Sequence, residues 1–402
     1  MLGGTMRLLF IQGGTRLKQD TEGNWYTDGN FNDSVWKRYT SVCDQLTVLL
    51  RKEDCVYKIE DAKKRFNRFD TQNINLVPLV DIYRPVKRFF NPVLKKQVCE
   101  KIKSEIEKVD CVIIRSVITF YTTTALDICK ELNKPYLIEV TGVAWDANWY
   151  HSIRGKLTAY TTEQGVKKRL KDAPYALYVT QQELQERYPC AGKTVGCSNV
   201  ELDSIDKFAL EHRRNKIKEK NEKTILGTIG GYGLKTKGQI LVIKALGELK
   251  KKGITNIEYQ LVGGGDASEL ETEAKKQGVL EQINFLGSMP HDKIFEWLDK
   301  IDIYIQPSYQ EGLCRSVVEA MSRACPVICS DACGERELAN EKFIFKRGDW
   351  KRLADKINDM NNTKTMLREA ERGYNKSFDY KKETLDKRRR EFYMDFIASS
   401  NF

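Results

Sequence analysis

The chain has 402 residues and a mass of 46.4 kDa, enough for two domains of ordinary size with filled cores. Hydrophobic residues make up 41% and charged residues 31%, the balance of a globular protein, and no apolar run reaches the roughly 18 residues a membrane span needs. The net charge of +11 is moderate, and it comes without a zinc-finger or RNP pattern, so nucleic acid is not an expected partner.

At the N-terminus, MLGGTMRLLFIQGG has too short an apolar part for a signal peptide, and a cytoplasmic chain is expected. RLLFIQG (7–13), LTVLLR (46–51), CVIIRS (111–116), PYLIEVTG (135–142) and YALYVT (175–180) read as strands buried on both faces. Helical patterns such as PVLKKQVCEKIKSEIEKV lie between them, so the alternation predicts helices covering a parallel sheet. Basic residues mix with aromatic ones in KKRFNRF (63–69) and YRPVKRFFNPVLKK (83–96) and gather again in KKRLK (167–171). That mixture suits an anionic surface such as a membrane face, the plainer reading being a solvated flank.

The pattern breaks at ELDSIDKFALEHRRNKIKEKNEK (201–223) and then restarts. TILGTIGG (224–231), IEYQLVGGG (257–265), INFLGS (283–288), IDIYIQPS (301–308) and PVICS (326–330) are the second set of strands, with helices at 238–252, 267–278, 291–299 and 313–324. The expectation is α/β, with two doubly wound domains, 1–200 and 201–402, joined near 196–205. The last helix, 380–400, is a candidate to pack back on the first domain. Ligands of such sheets bind outside the carboxyl ends of the strands, so two facing domains imply a cleft. Among the eleven cysteines, Cys111, Cys129, Cys197, Cys325 and Cys329 fall in or beside apolar runs and are expected to be reduced core thiols. Cys325, Cys329 and Cys333 lack the nearby histidines of a zinc site.

Several glycines follow strands at the place of that cleft: Gly13 and Gly14, then Gly230, Gly231 and Gly233, then Gly263, Gly264 and Gly265. They form neither G-x-G-x-x-G nor a P-loop, but they coincide with Lys237-Gly238 and with a helix expected to open near Leu313, after Gly312. The free N–H groups at such a helix start suit a phosphate. In the segment YQEGLCRSVVEAMSRACPVICSD, Glu311 stays in the loop and Glu319, eight residues on, falls on the inner face of the helix. A carboxylate buried there needs hydroxyl or cationic partners. The sequence has no Asp-x-Asp, so the expectation is a diphosphate held without a metal and no further cofactor.

These residues resemble, across almost the whole chain, the retaining glycosyltransferases of family 4, which have the GT-B fold of two Rossmann-like domains. Glu311-Gly312 through Glu319-Ala320-Met321 is similar to that family's E-x7-E signature, and Pro326-Val327-Ile328 with Gly334 and Glu337 looks like its continuation. TIGGYGLKTKGQILVIKAL, YQLVGGG and INFLGSMPHDKIFEWLDKIDIYIQPS resemble the segments before it, while APYALYVTQQELQERYP and CSN (197–199) fit more loosely. GGTRLKQDTEGNWYTDGNFNDSVWKRY and VTGVAWDANWYHS look like the branch that builds bacterial capsular and other surface polysaccharides.

The resemblance implies a hexosyltransferase-type enzyme (EC 2.4) that moves a sugar with retention from a nucleoside diphosphate sugar, a UDP-sugar foremost. The acceptor implied is a glycan, lipid-linked or polyprenyl-linked, at the inner face of the cell membrane, with the protein peripheral to it. Glu319 would accept from ribose hydroxyls, Glu311 would hold the transferred sugar, and Met289 would lie near the base. Lys237 and the N–H groups of Cys314 and Arg315 would hold the distal phosphate, with Gly264, Gly312 and Leu313 around the donor and Gly13 and Gly14 leaving space beneath the phosphates. Two positions depart from the family. Gly231 stands where an arginine is usual, with Lys235 the nearest substitute, and Thr141-Gly142 stands where many members have a histidine. Asp146 and His151 are the next candidates for that catalytic place, and Asp28, Asn30, Trp36, Asp146 and Trp149 are candidate acceptor contacts. The alternatives are a nucleotide-sugar epimerase of the same fold and a non-catalytic nucleotide-sugar-binding protein.

Overall fold

The computed structural model describes residues 5–27, 31–69, 74–150, 152–219 and 223–400. The first sheet contains β1 (Arg7–Asp20), β2 (Trp25–Thr27), β3 (Gln45–Tyr57), β4 (Asn67–Arg68), β5 (Ile74–Val80), β6 (Cys111–Arg115), β7 (Tyr136–Val140), β8 (Tyr175–Tyr178) and β9 (Lys193–Gly196). Its parallel body runs β5-β3-β1-β6-β7-β8-β9, and β2 and β4 extend it antiparallel from the far end of β1. Successive residues of one strand feed opposite faces. Leu9, Ile11, Val112 and Ile114 enter one core, while Leu8, Phe10, Cys111 and Ile113 enter the other. Burial on both sides is why these strands are continuously apolar.

The second sheet is β10 (Thr224–Ile229), β11 (Ile257–Val262), β12 (Ile283–Gly287), β13 (Ile303–Gln306), β14 (Val327–Ser330) and β15 (Ile344–Phe345), all parallel, in the order β12-β11-β10-β13-β14-β15. Two Rossmann-like α/β domains therefore face each other across a cleft, as expected. Several boundaries differ from the sequence reading, among them β3, which runs on to Tyr57 rather than ending at Arg51. β1 does not end at Gly13 but runs on to Asp20, with a register shift against β3 between Ile11 and Arg16. The helix expected from Leu313 begins at Arg315, with Cys314 as its N-cap. All eleven cysteines are free, and Cys111, Cys129, Cys197, Cys325 and Cys329 are fully buried. No helix among the described residues is long and apolar enough to cross a membrane.

The chain passes between the domains twice, and the two passages lie side by side. The Leu202 N–H donates to the Tyr380 carbonyl at 2.8 Å, and the Lys382 N–H donates to the Leu202 carbonyl at 2.9 Å. The final helix, Lys382–Ser399, then packs on the first domain. Leu385, Tyr393 and Phe396 join the core that holds Leu8 and Phe10, and the Tyr393 hydroxyl donates to Glu139 at 2.5 Å. Two polar contacts close the other edge of the interface. Glu337 accepts from the backbone N–H groups of Gln181, Gln182 and Glu183 at 2.7 Å each, and Arg347 reaches Asp146 at 2.9 Å.

Candidate active site

A cleft of about 1140 Å³ lies at the carboxyl ends of both sheets. On the second-domain wall it gathers Gly231, Lys237, Met289, Glu311, Leu313, Cys314, Arg315 and Glu319, all expected as donor residues. The turn after β10 places the lysine. Gly238 has φ 67°, and a Cβ there would lie 2.1 Å from the Pro307 carbonyl oxygen, so only glycine permits this approach. Lys237 Nζ consequently sits 2.7 Å from Glu311 Oε1. The same carboxylate accepts from Ser308 Oγ at 2.8 Å and Gln306 Nε2 at 3.2 Å, which fixes it in the loop after β13. Burial pushes the Lys237 ammonium down, but the Glu311 carboxylate outweighs it and the net shift is upward.

Glu319 lies on the inner face of the Arg315–Ser322 helix, buried, with Oε1 2.8 Å from His291 Nε2. His291 opens the helix His291–Lys300, directly after Met289-Pro290. No side chain caps the Arg315–Ser322 helix, and Cys314, Arg315 and Ser316 line the cleft at its start. A helix start without a cap leaves N–H donors for an anion. Beneath it, the Tyr304 hydroxyl lies 2.8 Å from Gln306 Oε1 and 2.7 Å from Ser316 Oγ, one proton serving the two contacts. Ser316 Oγ is 3.3 Å from the same Gln306 oxygen, so the floor is a connected network.

Glu335 is the exception in that floor. It is fully buried, and its carboxyl oxygens meet no N–H or O–H donor, only the thiols of Cys329 and Cys314 beside them. Burial, then the nearby Glu311 charge, holds its carboxyl well above the usual range. Atoms of Glu311, Cys314 and Glu335 lie within 4.8 Å of one another, the one group among the described residues that could offer three ligands to a metal ion. Burial and the two acids push the Cys314 thiol up as well, and Lys237 pairs with Glu311 at 2.7 Å.

Other expected residues lie elsewhere. Lys235 is 80% exposed and pairs with Glu269 at 3.0 Å, so it does not replace the missing arginine in the cleft. At Gly13 a Cβ would fall 2.0 Å from Thr119 Oγ1, so the space there is filled by the neighbouring helix rather than left open, and exposed Gly14 does not line the cleft. Gly264 packs against Ser288, and Gly312 against the Thr141 carbonyl of the first domain. Trp36 is a core residue, stacked on Phe31 and edge-on to Phe10 and Phe69. Trp149 stacks on Trp145 away from the cleft, and buried Asp146 is held by Arg347. Burial raises the Asp146 carboxyl above its usual range against the opposing pull of Arg347. Asp28, Asn30 and His151 lie outside the described residues. Sequence reasoning missed His291, Ser308, Gln306, Glu335, Arg38 and Arg115. Only Arg115 had a local signal, a charge ending a buried strand.

The family model for glycosyl transferases group 1 matches residues 211–376, the part of the chain that builds the Lys237, Glu311 and Glu319 wall. Protein CapJ of Staphylococcus aureus is 34% identical over 359 residues, covering 88% of this chain and 86% of CapJ. The chain belongs to the group 1 glycosyl transferases. This glycosyltransferase is also 32% identical over 118 residues to the putative glycosyltransferase EpsF of Bacillus subtilis, 29% of each chain. Among solved structures, Anabaena HepE in complex with UDP shares its fold with a TM-score of 0.64 at 16% identity, over 97% of this chain and 100% of HepE. The fold of this glycosyltransferase is thus GT-B, and its chemistry is glycosyl transfer.

Proposed function

We propose that this glycosyltransferase moves a sugar from a nucleoside diphosphate donor, a UDP-sugar, to a glycan acceptor in the making of a bacterial surface polysaccharide. The observation that carries the reading is the convergence on one wall of a lysine–glutamate pair, an uncapped helix start and a buried glutamate held by a histidine. Lys237 and the N–H groups at Cys314 and Arg315 take the diphosphate, and their charge stabilises it as it leaves. Glu311 accepts from hydroxyls of the transferred sugar, Glu319 from those of the ribose, and Met289 lies by the base. With both glutamates engaged by hydroxyls, neither serves as a nucleophile. Retention of the anomeric configuration follows from the family resemblance and needs no such nucleophile: the acceptor oxygen attacks from the face the diphosphate leaves, the departing phosphate takes its proton, and transfer runs without a divalent metal. Support for the polysaccharide assignment comes from the relatives' names: CapM of Staphylococcus aureus, 22% identical over 170 residues, is a capsular polysaccharide biosynthesis glycosyltransferase. A panel of nucleotide sugars scored for nucleotide release, with NMR of the first product, tests the reading. Inversion of the anomeric centre would overturn the mechanism, and loss of activity in chelator, restored by magnesium, would overturn the metal-free phosphate site.

Glu319→Ala is expected to weaken UDP binding by about 1.5–3 kcal/mol, the cost of hydrogen bonds to a charged acceptor, with a smaller effect on kcat. Titration of UDP against the variant measures it, and an unchanged Kd would remove Glu319 from the nucleotide site.

The lipid-linked acceptor calls for a surface that meets the membrane, and the protein is proposed to be cytoplasmic and peripheral to the inner face. The turn Val86–Phe90 and the helix Pro92–Glu107 support this: Phe90 is 75% exposed, with Val86 and Val93 exposed beside Lys87 and Lys96. Binding to anionic vesicles is expected, weakening as salt rises. Arg88 is already paired with Asp54 at 2.8 Å, so the variant to test replaces Lys87, Lys95 and Lys96 with glutamine. Vesicle binding that survives these changes would place the membrane contact elsewhere.

A further inference from the structure

The first-domain wall of the cleft carries a cation whose hydrogen bonds are incomplete. Arg115 ends β6, beside Gln12 of β1 in the sheet register, and both side chains line the cleft. Its side chain is 13% exposed and lies 5.0 Å from the Phe31 ring. The nearest acid, Glu139, is 3.8 Å from Nε, and that carboxylate already accepts from Tyr39 at 3.1 Å and Tyr393 at 2.5 Å. Arg115 Nη1 is buried and has no hydrogen-bond partner. Arg38, on the same wall, also has a buried nitrogen without a partner, Nε, but its charge is paired closely by Glu201 at 2.6 Å. A guanidinium keeps its charge, and a donor buried without an acceptor is costly unless a ligand supplies one. Its planar fork matches a carboxylate or a phosphate.

We propose that Arg115 receives an anionic group, a carboxylate or a phosphate, carried by the acceptor. The proposal rests on placing the donor on the opposite wall, which leaves this wall to the acceptor. Calorimetric titration of the protein, with and without saturating UDP, tests it with D-glucuronate and inorganic phosphate as anionic probes and D-glucose as the neutral one. Glucuronate, phosphate or both should bind where glucose does not, the former pointing to an acidic sugar and the latter to a phosphate on the carrier. Arg115→Gln should weaken that binding by about tenfold or more while leaving UDP affinity unchanged, and Arg115→Lys, which keeps the charge without the fork, should fall between. No response to either anion, glucose binding as well as glucuronate, or an Arg115→Gln variant that binds the anions normally would overturn the proposal. So would a preference for UDP-glucuronate over UDP-glucose that Arg115→Gln abolishes, because the anion would then belong to the donor. With UDP saturating the Lys237 wall, wild-type protein that binds neither anion overturns the proposal even if Arg115→Gln fails to fold, and Arg115→Lys then supplies the variant that locates the site. Should UDP not bind while glucuronate still does through Arg115, the donor reading falls and this site stands.

Discussion

Lys237→Ala is expected to lower kcat by about 10²–10³, the usual cost of removing one fixed group that stabilises charge developing in the transition state. The ammonium is 2.7 Å from Glu311 and lines the cleft where the Arg315–Ser322 helix begins, so it adds a full charge to the helix's partial one. The Glu311 carboxylate would keep Ser308 and Gln306 as donors, which preserves the loop while its counter-charge is lost. Turnover should therefore fall more than UDP affinity does. Lys237→Arg is not expected to restore the rate, because a planar fork cannot occupy the place of a compact ammonium. Steady-state kinetics with a UDP-sugar checks this, and a kcat within a few-fold of the wild type would take Lys237 out of the chemistry.

The second large effect is on stability, through Glu335. A carboxyl whose folded pKa is raised keeps a proton that the unfolded chain has already lost, so its contribution to stability is greatest below the unfolded value near 4.5 and declines as pH rises above it. The decline amounts to about 1.4 kcal/mol per pH unit until the folded group itself ionises. Glu335→Gln has no proton to lose. The difference in unfolding free energy between variant and wild type, measured by urea titration at several pH values, should thus grow in the variant's favour from about pH 5 to pH 8. A difference that stays flat across that range would show that Glu335 is ionised in the folded protein.

The residues that announced themselves in the sequence are those whose role is set by a single element. The apolar strands were legible because burial on both faces leaves no room for alternation, and Glu319 was legible because helix periodicity alone turns it inward. What was hidden depends on neighbours that are distant in the chain. Lys235 and Lys237 are two positions apart in one short helical turn, and only the packing of Gly238 against Pro307 aims the second at the cleft and leaves the first to Glu269. Trp36 looked like a ligand contact in a polar segment, but Phe10, Phe31 and Phe69 close around it from three other places. The extension of β1 past its glycines was masked because its outer part carries Lys18 and Asp20, polar residues that are buried all the same, Asp20 accepting from Asn24 and from Tyr26 of β2. Glu335 gave no warning at all, since a charged residue is rarely fully buried without an N–H or O–H donor.

The paired passages at Leu202 and Tyr380–Lys382 govern how the two halves can move. A single connecting strand would act as a tether, free to bend and to twist. Two strands hydrogen-bonded side by side, one of them running straight into a helix embedded in the opposite half, resist twisting and leave mainly a swing about their common line. The wall with Lys237 and the wall with Arg115 are thereby held in one alignment, and a substrate is met by both in one fixed register.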